Sequence, residues 1–577
     1  MMQIKKLFSI LTIGVLALSL KAVPARRVPF EVTQPDGSKL TLQFVGDERF
    51  HCLTMADGTA VELDSATGFY KPMMADALAE KITLANSRRA LVNERRLRRL
   101  NAARRVAATA LATNDDEDNS IGQRTLYEGE KRGLVILVNF NDKKFVSTRE
   151  EVDSMFNQTG YARNNHIGSV RDYFYDQSYG RFTINFDVVG PVELENNYAY
   201  YGENDSHGDD SRAHLMVAEA LTAADDSVDF SLYDWGEDRE VDQVFVLYAG
   251  YGENVGGADD NTVWPHEFEL STAYQMYDHI NKAGLVLDGV LLDTYACSCE
   301  LTGASGSRMA GIGTACHEFS HCLGFPDTYN TNYNITVPDM MDWDLMASGC
   351  YNGPNFNGEV PEGMTAYERW LCGWLEWNEL TEEQNVVMSC LADEPQAYIW
   401  RNDNAPNEAY ILENRQCYSW FTYPDKSHGL LIYHLDYDEE AFFSNYVNAT
   451  IGHPRMHIIF ANGTGGITST AYRGHPWPGS TDNKSFTANT TPAASWYYTD
   501  TDGDTAPNMG LYDIGERGTY TSFKFRKLVA DGISATTLAN DTDSPHSGIW
   551  TLDGRRATTS DKDVVLMNGR KVIGHKN

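Results

Sequence analysis

Three side chains in one short run have the types and spacing for metal-assisted hydrolysis. They are His317, Glu318 and His321, in Cys316-His-Glu-Phe-Ser-His-Cys322. On a helix, residues four apart differ by about 40° around the axis, so both imidazoles of H-E-x-x-H can reach one ion. Imidazole suits zinc, and two histidines leave positions for a third ligand and a water. Zinc lowers the pKa of that water to about 7. Glu318, beside the first ligand, can take the water's proton and deliver it to a leaving amine. The motif alone is of moderate specificity, because it also arises by chance in buried helices.

The residues that follow sharpen it. Gly324 tolerates the left-handed backbone needed to leave a helix. Asp327 then stands where the metzincin pattern H-E-x-x-H-x-x-G-x-x-H has its third ligand, and a carboxylate oxygen can bind zinc as histidine does. Pro326 helps fix the intervening turn. The expected metal ligands are therefore His317, His321 and Asp327, with Glu318 as the catalytic base. Downstream, Met346 in Trp343-Asp-Leu-Met-Ala-Ser-Gly349 resembles the metzincin Met-turn, an apolar floor under the metal. Many metzincins carry a tyrosine two residues after that methionine to hold the oxyanion. Here the position is Ser348, and Tyr329 and Tyr351 are both nearby substitutes.

With these phrases in order, the sequence resembles the M6 peptidases, the immune inhibitor A-like secreted bacterial metallopeptidases. Gly133-Leu-Val-Ile-Leu-Val-Asn-Phe140, Gly168-Ser-Val-Arg-Asp-Tyr-Phe174, Ala249-Gly-Tyr-Gly252, Trp264-Pro-His266 and Gly429-Leu-Leu-Ile-Tyr-His-Leu-Asp436 match as well. The resemblance spans about residues 125–470. It implies an α+β, metzincin-like catalytic domain with one catalytic zinc, an accessory β-rich module, and synthesis as a zymogen. Protein or peptide substrates and a secreted or cell-surface bacterial location follow from it.

The elements that must carry the motif are legible in outline. Gly133–Phe140, Val241–Tyr248 and Gly429–His434 are continuous apolar runs and read as buried strands. Arg212–Ala224 reads as a helix, so strands and helices mix in the catalytic core. Beyond about residue 390 the pattern turns to strands and Gly/Pro/Asn turns. The resulting domain assignment is a signal peptide at 1–22, a propeptide at 23–107 and a linker at 108–124. A catalytic domain follows at 125–390, then a β-rich module at 391–535 and a tail at 536–577. In the tail, Gly548–Arg555 and Val564–Val572 read as a sorting segment or a plain hairpin.

Charge sets the class of partner. The formal net charge is −34, which repels nucleic acid. Residues 1–107 carry 17 Lys and Arg against 10 Asp and Glu, a net +7, which leaves −41 for the rest. Lys5 and Lys6 followed by apolar Leu7–Leu20 read as a signal peptide, with Ala22 or Ala25 as the cleavage position. No later stretch has the roughly 18 apolar residues of a membrane span. Residues 28–72 read as short strands with turns at Pro35-Asp-Gly37 and Ala56-Asp-Gly58, and 87–107 as a basic helix. The polar run Thr113–Ser120 reads as an exposed linker. A basic segment on an acidic body suits a propeptide that inhibits its own enzyme by charge complementarity; a small N-terminal domain that stays attached is the alternative.

Nine cysteines in an exported chain permit disulfides that sequence cannot pair. Cys316 and Cys322 read as packing or disulfide residues, since they cannot both face the metal. Cys52 could hold the metal in a latent form as a thiolate, although no motif surrounds it. His266 is equally a cleft residue or a structural one. Asp500-Thr-Asp-Gly-Asp504 gathers carboxylates that suit calcium, yet lacks the glycine and glutamate of an EF-hand and reads first as a solvated turn. Calcium thus enters only as an accessory ion of the kind the family uses. The functional alternative to an endopeptidase is a surface-binding protein on a peptidase scaffold with a structural zinc, which would have no need of Glu318. The propeptide reading has a direct check: N-terminal sequencing of active secreted material should find a start between about residues 106 and 133, the exposed stretch. A start near Val23 on fully active enzyme contradicts it.

Overall fold

The computed structural model describes residues 21–89 and 120–528, apart from 207, 256–260, 304–307, 333–337 and 425–426. It also describes three short strands after residue 548. Of the signal-peptide reading of 1–22, residues 1–20 lie outside the described residues, as do the basic helix beyond 89 and most of the linker, whereas Lys21–Ala22 is a strand.

The catalytic part is built on a mixed sheet. Gly129–Asn139 sits between Phe182–Glu193 and Val244–Tyr251, parallel to both, and Thr294–Thr302 runs parallel to Val244–Tyr251. His266–Glu269 then pairs antiparallel with Thr294–Thr302 and forms the edge. Parallel neighbours need crossover connections, and helices supply them here. Arg149–Asn157 and Val170–Gln177 cover one face, and Ala213–Ala224 the other. Both faces being covered explains why the central strands read as unbroken apolar runs. The helix Ile312–Cys322 packs on the same face as the first two helices, against the strand Thr294–Thr302. Mixed helices and strands agree with the α+β expectation at that coarse level.

The β-rich part begins earlier than residue 391. Glu376–Glu379 is already the first strand of a five-stranded sheet, followed by Gln396–Arg401, Glu408–Arg415, Gly429–Asp436 and Met456–Ile458. Gln384–Met388 pairs with Tyr520–Lys527 in a second, three-stranded sheet. Strand alternation divides the five-stranded sheet between two cores. Ile411, Leu431 and Tyr433 face the core that contains Tyr329 and Trp343, whereas Leu412, Leu430 and Ile432 face Phe523 and Phe525 of the second sheet. Glu376–Glu379 is mostly exposed and has no apolar run to announce it, so the sequence pattern turns to strands only beyond about residue 390.

The N-terminal region 30–72 is an antiparallel meander of five strands, with a helix starting at residue 75. It is tied to the catalytic part by Arg49 to Asp209 (2.7 Å) and Arg88 to Asp205 (2.6 Å). Residues 527–577 form a separate unit in which Ile549–Thr551, Val565–Met567 and Arg570–Val572 make an antiparallel sheet. Among the described residues no helix is long and apolar enough to cross a membrane.

Among the described residues no disulfide forms between the nine cysteines, whose number had permitted such pairs. Their distribution gives the reason: Cys297 and Cys299 lie in one core, Cys316, Cys350 and Cys372 in another, and Cys390 in a third. The ion pairs of Arg415 replace covalent ties between catalytic and β-rich parts. Its guanidinium is fully buried and meets Glu362 at 2.6 Å and Glu413 at 2.5 Å. Arg415→Met leaves two buried carboxylates short of their counter-charge and should cost about 3–5 kcal/mol; a Tm unchanged from wild type would contradict that.

Candidate metal centre

The helix Ile312–Cys322 can carry two ligands only because both ends are fixed. At its start, Gly311 and Gly313 N–H donate to the carbonyls of Asn357 and Gly358, each at 3.0 Å. A Cβ on Gly313 would stand 1.8 Å from the Cys350 carbonyl oxygen, so the helix could not seat there with any other residue. At its end, Gly324 adopts φ +97°, as its placement in the sequence suggests. Gly324 N–H donates to His321 O (2.9 Å) and Phe325 N–H to Ser320 O (3.3 Å), the two bonds of a Schellman turn.

That turn also orients a ligand. His321 Nδ1 donates to the Phe325 carbonyl, and His317 Nδ1 donates to the Leu345 carbonyl, both at 2.8 Å. A neutral imidazole that donates from Nδ1 keeps a lone pair on Nε2. The two Nε2 atoms face each other at 3.1 Å, and Asp327 Oδ1 lies 3.2 and 3.4 Å from them. Burial pushes the His321 imidazole down to about 3. Burial alone would raise the Asp327 carboxyl, but the adjacent imidazoles outweigh it and hold it well below the usual range.

Three lone pairs thus converge in a fully buried space, and Asp327 Oδ1 has no hydrogen-bond partner. A cation resolves that arrangement, and two imidazole nitrogens with one carboxylate oxygen are a donor set that fits zinc. Among the described residues this is the one group of His, Cys, Asp and Glu with metal-binding geometry. Sequence reasoning found all three members. It missed Asn445, which clamps the third: Asp327 N–H donates to Asn445 Oδ1 (2.7 Å), and Asn445 Nδ2 donates to Asp327 Oδ2 (2.6 Å). Met346 is buried beneath, in one core with Phe319 and Cys316.

Glu318 is also fully buried, and burial pushes its carboxyl well above the usual carboxylate range. One oxygen accepts the N–H of Val23 at 2.9 Å. The N-terminal stretch lies across the centre. Lys21–Ala22 is an added antiparallel strand on the edge His266–Glu269, with Ala22 opposite His266 and Lys21 opposite Glu267. The Tyr329 hydroxyl donates to the Ala22 carbonyl (3.0 Å), Trp264 Nε1 to the Val23 carbonyl (3.0 Å) and the Tyr351 hydroxyl to the Pro24 carbonyl (2.7 Å). Glu318 and Tyr329 therefore address the two sides of one peptide unit, Ala22–Val23. The two tyrosines left open by the sequence meet carbonyls two residues apart along the bound chain, Tyr351 on the downstream side.

The other candidates fall away from the centre. Cys52 lies on the strand His51–Met55 beside Phe50 and Ile82, its thiol pushed up to about 11 by burial, and it is not among the metal-binding group. The thiolate latch is thereby excluded. His266 pairs with the bound segment through its backbone, and its ring is held by Trp264 O (2.6 Å) and the Tyr295 hydroxyl (3.0 Å). Asp500 Oδ1 accepts the N–H groups of Asp502 and Asp504, so that segment is a self-bonded turn.

A helix presenting two imidazoles and a glutamate, with a carboxylate closing the set, has the donor arrangement of a single-metal hydrolytic centre. Across residues 123–375 the chain is similar to the family described as immune inhibitor A peptidase M6, catalytic domain. It is similar to the pre-pro-metalloprotease PrtV of Vibrio cholerae serotype O1, 28% identical over 244 residues, which is 39% of this chain and 25% of that protein. It is also similar to immune inhibitor A of Bacillus thuringiensis subsp. alesti, 24% identical over 279 residues, 42% of this chain and 40% of that one. The aligned part thus spans between a quarter and two fifths of these relatives.

The Asn445 clamp generates a test. Outer residues that orient metal ligands typically change affinity by about 10–100-fold when removed. Asn445→Ala should weaken zinc binding by that factor in a chelator competition. Unchanged affinity would show that Asp327 needs no support.

Proposed function

We propose that this chain is a secreted or surface-exposed bacterial zinc endopeptidase that cleaves peptide bonds in proteins and is made as a zymogen. The observation that carries the reading is that a peptide unit of the chain itself lies at the centre in the orientation a substrate needs. The metzincin-like reading is supported by the same geometry: an antiparallel edge strand, a helix with H-E-x-x-H, a tight exit and a buried methionine beneath.

His317, His321 and Asp327 would hold the zinc, which supplies Lewis acidity and a water of lowered pKa when bound. The edge strand His266–Glu269 aligns the substrate by main-chain pairing, so chain direction is fixed before side chains are read. Glu318 accepts the proton of the attacking water. It then returns that proton to the nitrogen of the scissile bond, the atom that Val23 N–H represents. Tyr329 donates to the carbonyl oxygen of the same bond and stabilises the charge that develops there. Tyr351 and Trp264 hold carbonyls on the departing side, which keeps the leaving segment in register.

The zymogen reading rests on the same contacts, and it places signal removal ahead of Lys21 instead of after Ala22. Lys21 to Arg26 are buried in the cleft, and Val23 N–H engages the oxygen of Glu318 that catalysis requires. Arg26 anchors the end through Thr302 (3.2 Å) and the Asn355 carbonyl (2.8 Å). A substrate cannot pair with the edge strand while this segment does. The 15 Lys and Arg against 10 Asp and Glu of residues 21–107, a net +5, add attraction to the acidic body over a wider area.

After activation, Glu318→Gln should lower kcat by about 10²–10⁴-fold on a casein-type substrate, and Tyr329→Phe by about 10²–10³-fold. Both should keep the zinc content of wild type. Full activity in Glu318→Gln, or zinc-loaded wild type that cleaves no protein or peptide library, would refute the reading.

A further inference from the structure

The edge strand has a second neighbour besides the chain in the cleft. Arg49, from the N-terminal region, inserts its guanidinium into a cavity lined by Glu48, Asp209, Asp210, His214, Phe268 and Tyr277. Nη1 meets Asp209 Oδ2 at 2.7 Å with both side chains 3% exposed, and the Tyr277 hydroxyl lies 3.4 Å away. The guanidinium carbon stands 5.9 Å from the centre of the Phe268 ring, the arrangement of a cation over an aromatic face. All the catalytic-part walls of this cavity belong to residues 209–295, and they would remain if the N-terminal region were gone.

The cavity opens on the face of the edge strand that reads alternate residues of a bound chain. Ala22 stands opposite His266 and Lys21 opposite Glu267. In the same antiparallel register, the next residue upstream in a substrate stands opposite Phe268. Paired residues share a face of the ladder, and His266, Phe268 and Tyr295 all line this cavity. A side chain three residues before the scissile bond is thus directed at the space Arg49 fills. Asp209 is 2% exposed, and Asp210 Oδ1 is buried without a hydrogen-bond partner although Asp210 Oδ2 accepts from Trp264 N–H at 2.7 Å. Two carboxylates beside an aromatic ring are the chemistry that recognises a guanidinium.

We propose that the cavity formed by Asp209, Asp210, Phe268 and Tyr277 is a substrate subsite for an arginine three residues before the cut, and that Arg49 occupies it in place of substrate. The inference rests on the endopeptidase reading above and on departure of the N-terminal region. It makes Arg49 a mimic of a substrate side chain contributed from a different segment than the one lying in the cleft. Arg88, which meets Asp209 at 2.5 Å and Asp205 at 2.6 Å, closes the outer side of the same carboxylate group.

Two measurements test it. In full-length Arg49→Ala the cavity is vacated without cutting the chain, and N-ethylguanidinium at 10 mM should raise Tm by about 1 °C or more. The same addition should leave wild type and Arg49→Ala/Asp209→Asn unmoved. In the full chain activated by limited proteolysis, peptides with arginine three residues before the cut should exceed their neutral citrulline counterparts by about 10-fold or more in kcat/KM. Asp209→Asn should bring the two peptides within about 2-fold of each other. No Tm response in Arg49→Ala overturns the cavity as a guanidinium site. A Tm response with equal cleavage of both peptides overturns its use as a subsite. Hydrolysis of neither peptide by zinc-loaded protein, with the Tm response intact, overturns the subsite by removing the endopeptidase reading beneath it.

Discussion

Everything in this molecule is arranged around three lone pairs that would repel one another in an empty, dry space. His317 Nε2, His321 Nε2 and Asp327 Oδ1 lie within 3.4 Å of each other with no proton between the nitrogens. Such an arrangement is unfavourable unless a cation fills it, so the protein must hold it open by force of the surrounding structure. Each atom is held from behind. Backbone carbonyls of Leu345 and Phe325 fix the rings, and an amide side chain fixes the carboxylate. The binding energy of the ion is thereby spent on binding and not on gathering its ligands.

The larger elements follow from that requirement. Four parallel strands make a floor that does not flex, and the ligand helix lies on it through Phe319 and Ala315. The edge strand stays antiparallel and unpaired on its outer side within the catalytic part, which leaves a row of main-chain groups for another chain. The β-rich part is no passive appendage. One face of its main sheet shares a core with Tyr329 and Trp343, and Arg415 binds it to Glu362. Tyr329, which meets the Ala22 carbonyl, is therefore braced by residues from more than a hundred positions later.

The sequence was informative where function is carried by short spacing. H-E-x-x-H, the glycine three residues on and the aspartate after it are all within one helix and its exit, where geometry is set locally. The central strands were legible because burial on both faces leaves an unbroken apolar run, as at Gly133–Phe140. Asn445 was not legible. It lies 118 positions beyond its partner Asp327, in a turn with positive φ, where no periodicity exists to read. The strand Lys21–Ala22 was hidden for another reason: it has two residues, and its pairing exists only because a distant edge is vacant. The cysteines misled because their count speaks to redox chemistry, whereas their positions in three separate cores decide that they pack. Tyr329 and Tyr351 could not be ranked from sequence, since which carbonyl each meets depends on the path of a bound chain.

The Asn445 clamp also sets an order of events. Residues 23, 317–327 and 445 meet at one point, although most of the chain separates them. Contacts between such distant positions form late, because loop closure must be completed before they reward the chain. The third ligand is therefore loose until the β-rich part has docked. Capture of a metal at this centre would follow assembly, because Asp327 meets Asn445 only once the two distant segments are together. The geometry of the centre is thus tied to completion of the second half of the chain.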